Sequence, residues 1–155
     1  MNSPFKNAVI IDVHSHAWNF PSDFSEDFIR QAGRARPGHT VDLSATYEAY
    51  RAAAPEDTRT IVFGGKARLS GLWIDDQTVA NYVTRDPKRL IGFLSVDPTQ
   101  DGWEREMRAG HEELGLRGIK LLPMYAGFSP DEAKLEPLWQ YAEKHALPVL
   151  LHMGT

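Results

Sequence analysis

Five stretches of the chain are almost continuously apolar: AVIIDV (8–13), TIVF (60–63), LIGFLSV (90–96), GIKLL (118–122) and PVLLH (148–152). A strand with one wet face alternates apolar and polar side chains; a strand covered on both faces does not. The runs therefore predict buried parallel strands. Between them, apolar positions recur at helical spacing. In 101–115, Trp103, Met107, Gly110 and Leu114 share one side, and Gly115 can end the helix. In 75–87 a helix runs to a stop at Asp86-Pro87. Residues 22–32 and 44–54 predict two more, joined by a loop around Arg36-Pro37-Gly38. The last helix, 129–145, opens with Ser129 as N-cap and Glu132 three residues on, a capping box. Leu135, Leu138, Trp139 and Ala142 form its apolar face, and Pro137, inside the span, predicts a kink.

Strands alternating with helices mean an α/β fold on a parallel sheet. Five strands suffice for an open doubly wound sheet. A (β/α)₈ barrel of the TIM type needs about 250 residues, and 155 residues would then make little more than half of one. The sequence stops three residues after a buried strand, with no covering helix. The expectation is thus an incomplete TIM-type barrel of about five strands, with 1–155 the N-terminal part of a single barrel domain.

Composition narrows the class. Charged residues are 25% of the chain, apolar residues 42%, and the net charge is −4. Basic residues are scattered, so nothing predicts a nucleic-acid surface. No stretch approaches a membrane span, and the N-terminal apolar run is broken by Asp12. The chain has no cysteine, which excludes disulfides, thiolate metal sites and a cysteine nucleophile. A cytoplasmic protein acting on a small-molecule substrate is expected.

The polar residues on the apolar runs carry the chemistry. In a strand, side chains at i and i+2 share a face. Asp12, His14 and His16 in IDVHSH should therefore point one way at the mouth of the first strand. Two imidazoles so placed can bind one metal ion, with Asp12 as a further ligand or as the group that orients one. His152 ends the fifth strand on what should be the same rim, a third candidate ligand. Lys120, inside GIKLLP, is either one half of a structural ion pair or a catalytic group facing the barrel interior. Asp97 in SVDP reads as a turn-initiating aspartate. Lys66, Trp18 and Asn19 are rim positions with no specific signal, and His39, His111 and His145 read as ordinary surface or helix-end histidines.

DVHSHAW, RDPKRLIGFLSVDP, GLRGIKLLP and FSPDEAKLEPLWQYAEKHALPVLLHMGT, in this order and spacing, resemble the amidohydrolase superfamily. They are most similar to its amidohydrolase-related branch, that of aminocarboxymuconate-semialdehyde decarboxylase. The resemblance implies a (β/α)₈ barrel with a divalent metal, usually zinc. It implies His14 and His16 as first-strand ligands and His152 as the fifth-strand ligand. Further ligands from strands six and eight have no counterpart here. It puts Lys120 on the strand where dinuclear members carry a carbamylated lysine. The implied function is metal-dependent hydrolysis or nonoxidative decarboxylation by the whole protein, this portion being inactive alone. The alternative is a truncated or degenerate half-barrel that binds metal or a partner without catalysis. A half-barrel leaves two sheet edges and an apolar layer uncovered. A 155-residue product is therefore predicted to form homo-oligomers or to be poorly soluble; a monodisperse monomer in light scattering would contradict this.

Overall fold

The computed structural model describes residues 10–35 and 37–154. Ala8 and Val9 of the first expected strand, Arg36 of the expected loop and Thr155 lie outside the described residues. In chain order the elements are β1 (Ile10–His16), α1 (Glu26–Ala35), α2 (Tyr47–Ala53), β2 (Thr58–Phe63), β3 (Gly65–Ala67), β4 (Leu72–Ile74), α3 (Asp76–Val83), β5 (Leu90–Ser95), α4 (Trp103–Glu112), β6 (Ile119–Leu121), α5 (Pro123–Ala126), α6 (Glu136–Lys144) and β7 (Val149–Leu151).

One parallel sheet takes the order β1-β2-β5-β6-β7. All five apolar runs are in it. The order follows the chain without reversal. An open doubly wound sheet reverses at a switch point, whereas a barrel winds in one direction. The topology is thus that of consecutive barrel strands. Helices α3, α4 and α6 bury Val79, Met107 and Leu138, and Leu94 and Leu121 of the sheet are buried with them in one core. Edge strand β1 is different: Ile11 and Val13 are 62% and 53% exposed.

A two-stranded antiparallel hairpin, β3-β4, interrupts the alternation after β2. Its strands are three residues each, too short for a period to register in the sequence. The last helix also differs from expectation. Half of the capping box is present, the Ser129 N–H donating to Glu132 Oε1 at 2.6 Å. A 3₁₀ turn, Ala133–Leu135, follows it, and α6 starts only at Glu136. Pro137 is then a first-turn proline, where its missing N–H costs no helical bond, and it breaks nothing.

Gly110 lets α4 lie directly on β5. A Cβ there would stand 2.9 Å from Leu94 Cβ and 3.5 Å from Asp76 Oδ2. Gly110→Ala is predicted to force these elements apart and to destabilise the chain by about 1–3 kcal/mol in urea unfolding. No measurable change would mean that the helix packs less closely than described.

Candidate metal centre

β1 and β2 pair in step from Ile10↔Thr58 to Asp12↔Thr60, then resume at Ser15↔Val62 and His16↔Phe63. Three residues of β1 span two of β2, a bulge with one extra residue. Partners on neighbouring strands point to the same side. The Thr60 hydroxyl donates to the Tyr50 hydroxyl of α2 at 3.2 Å, so Thr60 and its partner Asp12 face the helical layer. Phe63 and His16 face the other way, into the barrel. The Phe63 ring lies 4.8 Å from His16 and 5.0 Å from His14. Plain alternation puts Asp12 on the face of the two histidines; the extra residue turns it to the opposite one. There its carboxylate accepts the backbone N–H of His14 at 3.0 Å and lines a cleft beside α2.

The His14 and His16 rings are 5.1 Å apart, edge to face. His16 stacks on Trp18 at 3.7 Å, and the Trp18 indole N–H donates to the Gly64 carbonyl at 3.0 Å, which fixes the pair. Lys120, 1% exposed, projects from β6 to put Nζ 4.6 Å from the centre of the same Phe63 ring. It pairs with no carboxylate among the described residues. His152 follows β7, its N–H donating to Leu121 at 3.0 Å and its ring 5.1 Å from Tyr125. The expected rim residues thus share the C-terminal end of the sheet, Asp12 excepted.

Their charges oppose one another. Burial first, then the charges of Lys120 and His152, push the His14 imidazole below its ordinary value. Burial, His14 and Lys120 push His16 down to about 3. Burial alone lowers Lys120 to about 8. Two ring nitrogens, Nδ1 of His16 and Nε2 of His152, are buried without a hydrogen-bond partner. Among the described residues no three His, Asp or Glu side chains stand close enough to share one ion. His16 is held by its stack and Asp12 by the bulge, so the expected set of Asp12, His14, His16 and His152 does not converge on one point.

The structural ion pair considered for Lys120 belongs instead to Lys66. Its Nζ lies 2.9 Å from Asp76 Oδ2 and 3.0 Å from Glu106 Oε2. Asp97 acts in its turn, accepting from Thr99, and also holds the Arg68 N–H at 2.7 Å. His111 bonds the Tyr141 hydroxyl at 2.8 Å on the helical layer, away from the rim. Tyr125 was not singled out by the sequence; its place just after the fourth apolar run, in LLPMY, was the available signal.

A family model described as Amidohydrolase matches residues 11–155. The chain belongs to the amidohydrolase family. Members of that family typically depend on a metal. Solved structures carry the same fold. An uncharacterised TIM-barrel protein from Bordetella bronchiseptica superposes with a TM-score of 0.64 at 20% identity, over 94% of this chain and 56% of that one. An amidohydrolase II superposes with a TM-score of 0.64 at 14% identity, over 92% and 50%. A Staphylococcus aureus protein provisionally described as an amidohydrolase gives 0.60 at 19% identity, over 92% and 47%. The chain spans about half the length of these structures. Its five strands are therefore a curled half-barrel, and this amidohydrolase domain is incomplete as a barrel. No curated protein matches the sequence. No helix among the described residues is long and apolar enough to cross a membrane.

The half-buried His16 makes a stability prediction for the metal-free amidohydrolase chain. Unfolded, His16 takes up a proton near its ordinary 6.5; folded, only near 3. Between those values protons favour the unfolded state, so stability is full above about pH 6.5 and falls as the pH drops toward 3. His14, shifted in the same direction, adds to the slope. Urea titrations across this window should show the loss, and His16→Phe should flatten much of it. An unchanged slope would refute the burial of this imidazole.

Proposed function

We propose that this half-barrel belongs to a metal-dependent hydrolase or nonoxidative decarboxylase acting on a small carboxylate, amide or lactone, in the branch of aminocarboxymuconate-semialdehyde decarboxylase. One observation carries the reading: His16 Nδ1 and His152 Nε2 are buried on the same rim with no partner. An unpaired buried polar nitrogen costs about 1–3 kcal/mol, and a metal ion is a partner that would satisfy it. The strong depression of His16 keeps its imidazole neutral at ordinary pH, the form that ligates.

In this reading His14, His16 and His152 supply ligands to a divalent ion, expected to be zinc, and their rings would have to close on it from the separate positions they hold in the metal-free chain. Such an ion, when bound, lowers the pKa of water from 15.7 to about 7 and polarises a carbonyl. The chain's own groups do the rest. The Trp18 stack orients His16. The Asp12 carboxylate fixes the bend of β1 that aims His14, a supporting part and not a ligand's. Lys120, with its pKa near 8, keeps most of its charge at neutral pH and has no carboxylate to neutralise it. It can hold a substrate carboxylate or stabilise an oxyanion in a site where the Phe63 ring excludes water.

Calorimetric titration of the metal-free chain with zinc tests the ligand set. His14→Ala, His16→Ala and His152→Ala should each weaken zinc by about 100-fold or more. His111→Ala and Lys120→Met should bind it as the parent does. Equal zinc affinity in all the variants would sink the reading.

A further inference from the structure

A cavity of 390 Å³ lies beside the histidine rim, within the size range of small-molecule sites. It is built from connections that leave the C-terminal ends of barrel strands, where barrels assemble their active sites. Trp18 and Phe28 come from the segment after β1, Ser70 from the segment after β2, and Tyr125 from the segment after β6. Trp18 and Tyr125 also touch the candidate ligands. Trp18 stacks on His16 at 3.7 Å, and Tyr125 lies 5.1 Å from His152. A guest against these two rings is one side chain away from both unpaired nitrogens.

Three polar groups of the walls are engaged. The Trp18 N–H donates to the Gly64 carbonyl at 3.0 Å, and the Ser70 hydroxyl donates to the Ala67 carbonyl at 3.2 Å. Asp42, the one charged residue of the described lining, accepts the Ser44 N–H at 2.9 Å. What faces a guest is largely apolar surface, aromatic at Trp18, Phe28 and Tyr125, with Gln31 and Thr40 as further polar side chains. Its one formal charge is negative, which repels anions. Planar apolar groups stack on such walls.

We propose that this cavity seats a neutral aromatic group of the substrate, with Trp18 and Tyr125 as the specificity-determining residues. The proposal rests on the rim being the active site, and it narrows the substrate to one that carries a ring beside its reacting bond. The reacting group would lie toward His16 and His152, and the ring would lie between α1 and Tyr125.

The test is a titration of the 155-residue chain with 2-naphthol, in EDTA and again with zinc, following the Trp18 indole N–H by NMR. A saturable shift of that signal without metal is expected. The saturated analogue decahydro-2-naphthol should bind the metal-free chain about tenfold more weakly, because it has no planar ring to stack on Trp18 and Tyr125. Ala32→Trp, which fills the cavity from α1, should abolish the shift while leaving zinc uptake unchanged. If that variant loses its dispersed spectrum, Ser70→Phe fills the same space from another connection and is read in the same way. Absence of a saturable shift, equal binding of the saturated analogue, or undiminished binding in the filled variant would each overturn the proposal. The two readings fail separately. Stoichiometric zinc without naphthol binding removes the seat, and naphthol binding without zinc uptake removes the ligand assignment.

Discussion

A buried ammonium has to be neutralised, and much of the rim is arranged around one that is. Lys66 reaches Asp76 at the start of α3 and Glu106 on α4. Its own N–H donates to Ser95 Oγ at 3.0 Å, and that hydroxyl donates to the Lys120 carbonyl, also at 3.0 Å. The Ser95 N–H returns to the second oxygen of Asp76 at 2.8 Å. One charge pair thus ties β3, two helices and the ends of β5 and β6 into a single satisfied network. Breaking such a pair by removing one partner typically costs about 3–5 kcal/mol. The short hairpin keeps its place because Lys66 is anchored, and the backbone that carries Lys120 is fixed by the same bonds.

The contrast between the two lysines defines the electrostatics of the barrel mouth. Lys66 has two carboxylates; Lys120 has an aromatic face and two imidazoles within reach of its charge. Burial suppresses protonation on His16 and weakens it on Lys120. Plain alternation along β1 would have brought a carboxylate among them; the bulge turns Asp12 away. Groups of one sign, short of hydrogen bonds, are costly in a folded chain. Such groups cluster at functional sites, and the metal centre proposed above rests on that.

The strands were legible because parallel strands made for cover on both faces are unbroken apolar runs, although β1 is exposed and β7 only partly buried here. Each helix was legible from its apolar stripe, though ends moved by a few residues where a 3₁₀ turn replaced the first helical turn after Ser129. The hairpin was not legible. It spends Lys66 on a buried position, neutralised in part by Glu106, 40 residues further along. The histidines could be found from their place at strand ends. The position of Asp12 could not, because a bulge is a property of two strands in register and β1 read alone shows only its own alternation. Trp18 could be placed on the rim but given no role, and Tyr125 escaped, because its meaning comes from His152, on a later strand.

The extra residue in β1 has a consequence for how this strand can change over evolutionary time. Substitutions in IDVHSH alter one side chain at a time and leave the others where they are. Removing Val13 would take out the extra residue and leave the pairings on both sides as they are, Asp12 opposite Thr60 and His16 opposite Phe63. Removing Ser15 with the same outer pairings kept would put His14 opposite Val62 and turn its imidazole to the helical layer. The strand can therefore change its length at the bulge without changing which way its ends face. In a mutational survey, the loss of Val13 would be better tolerated than the loss of Ser15.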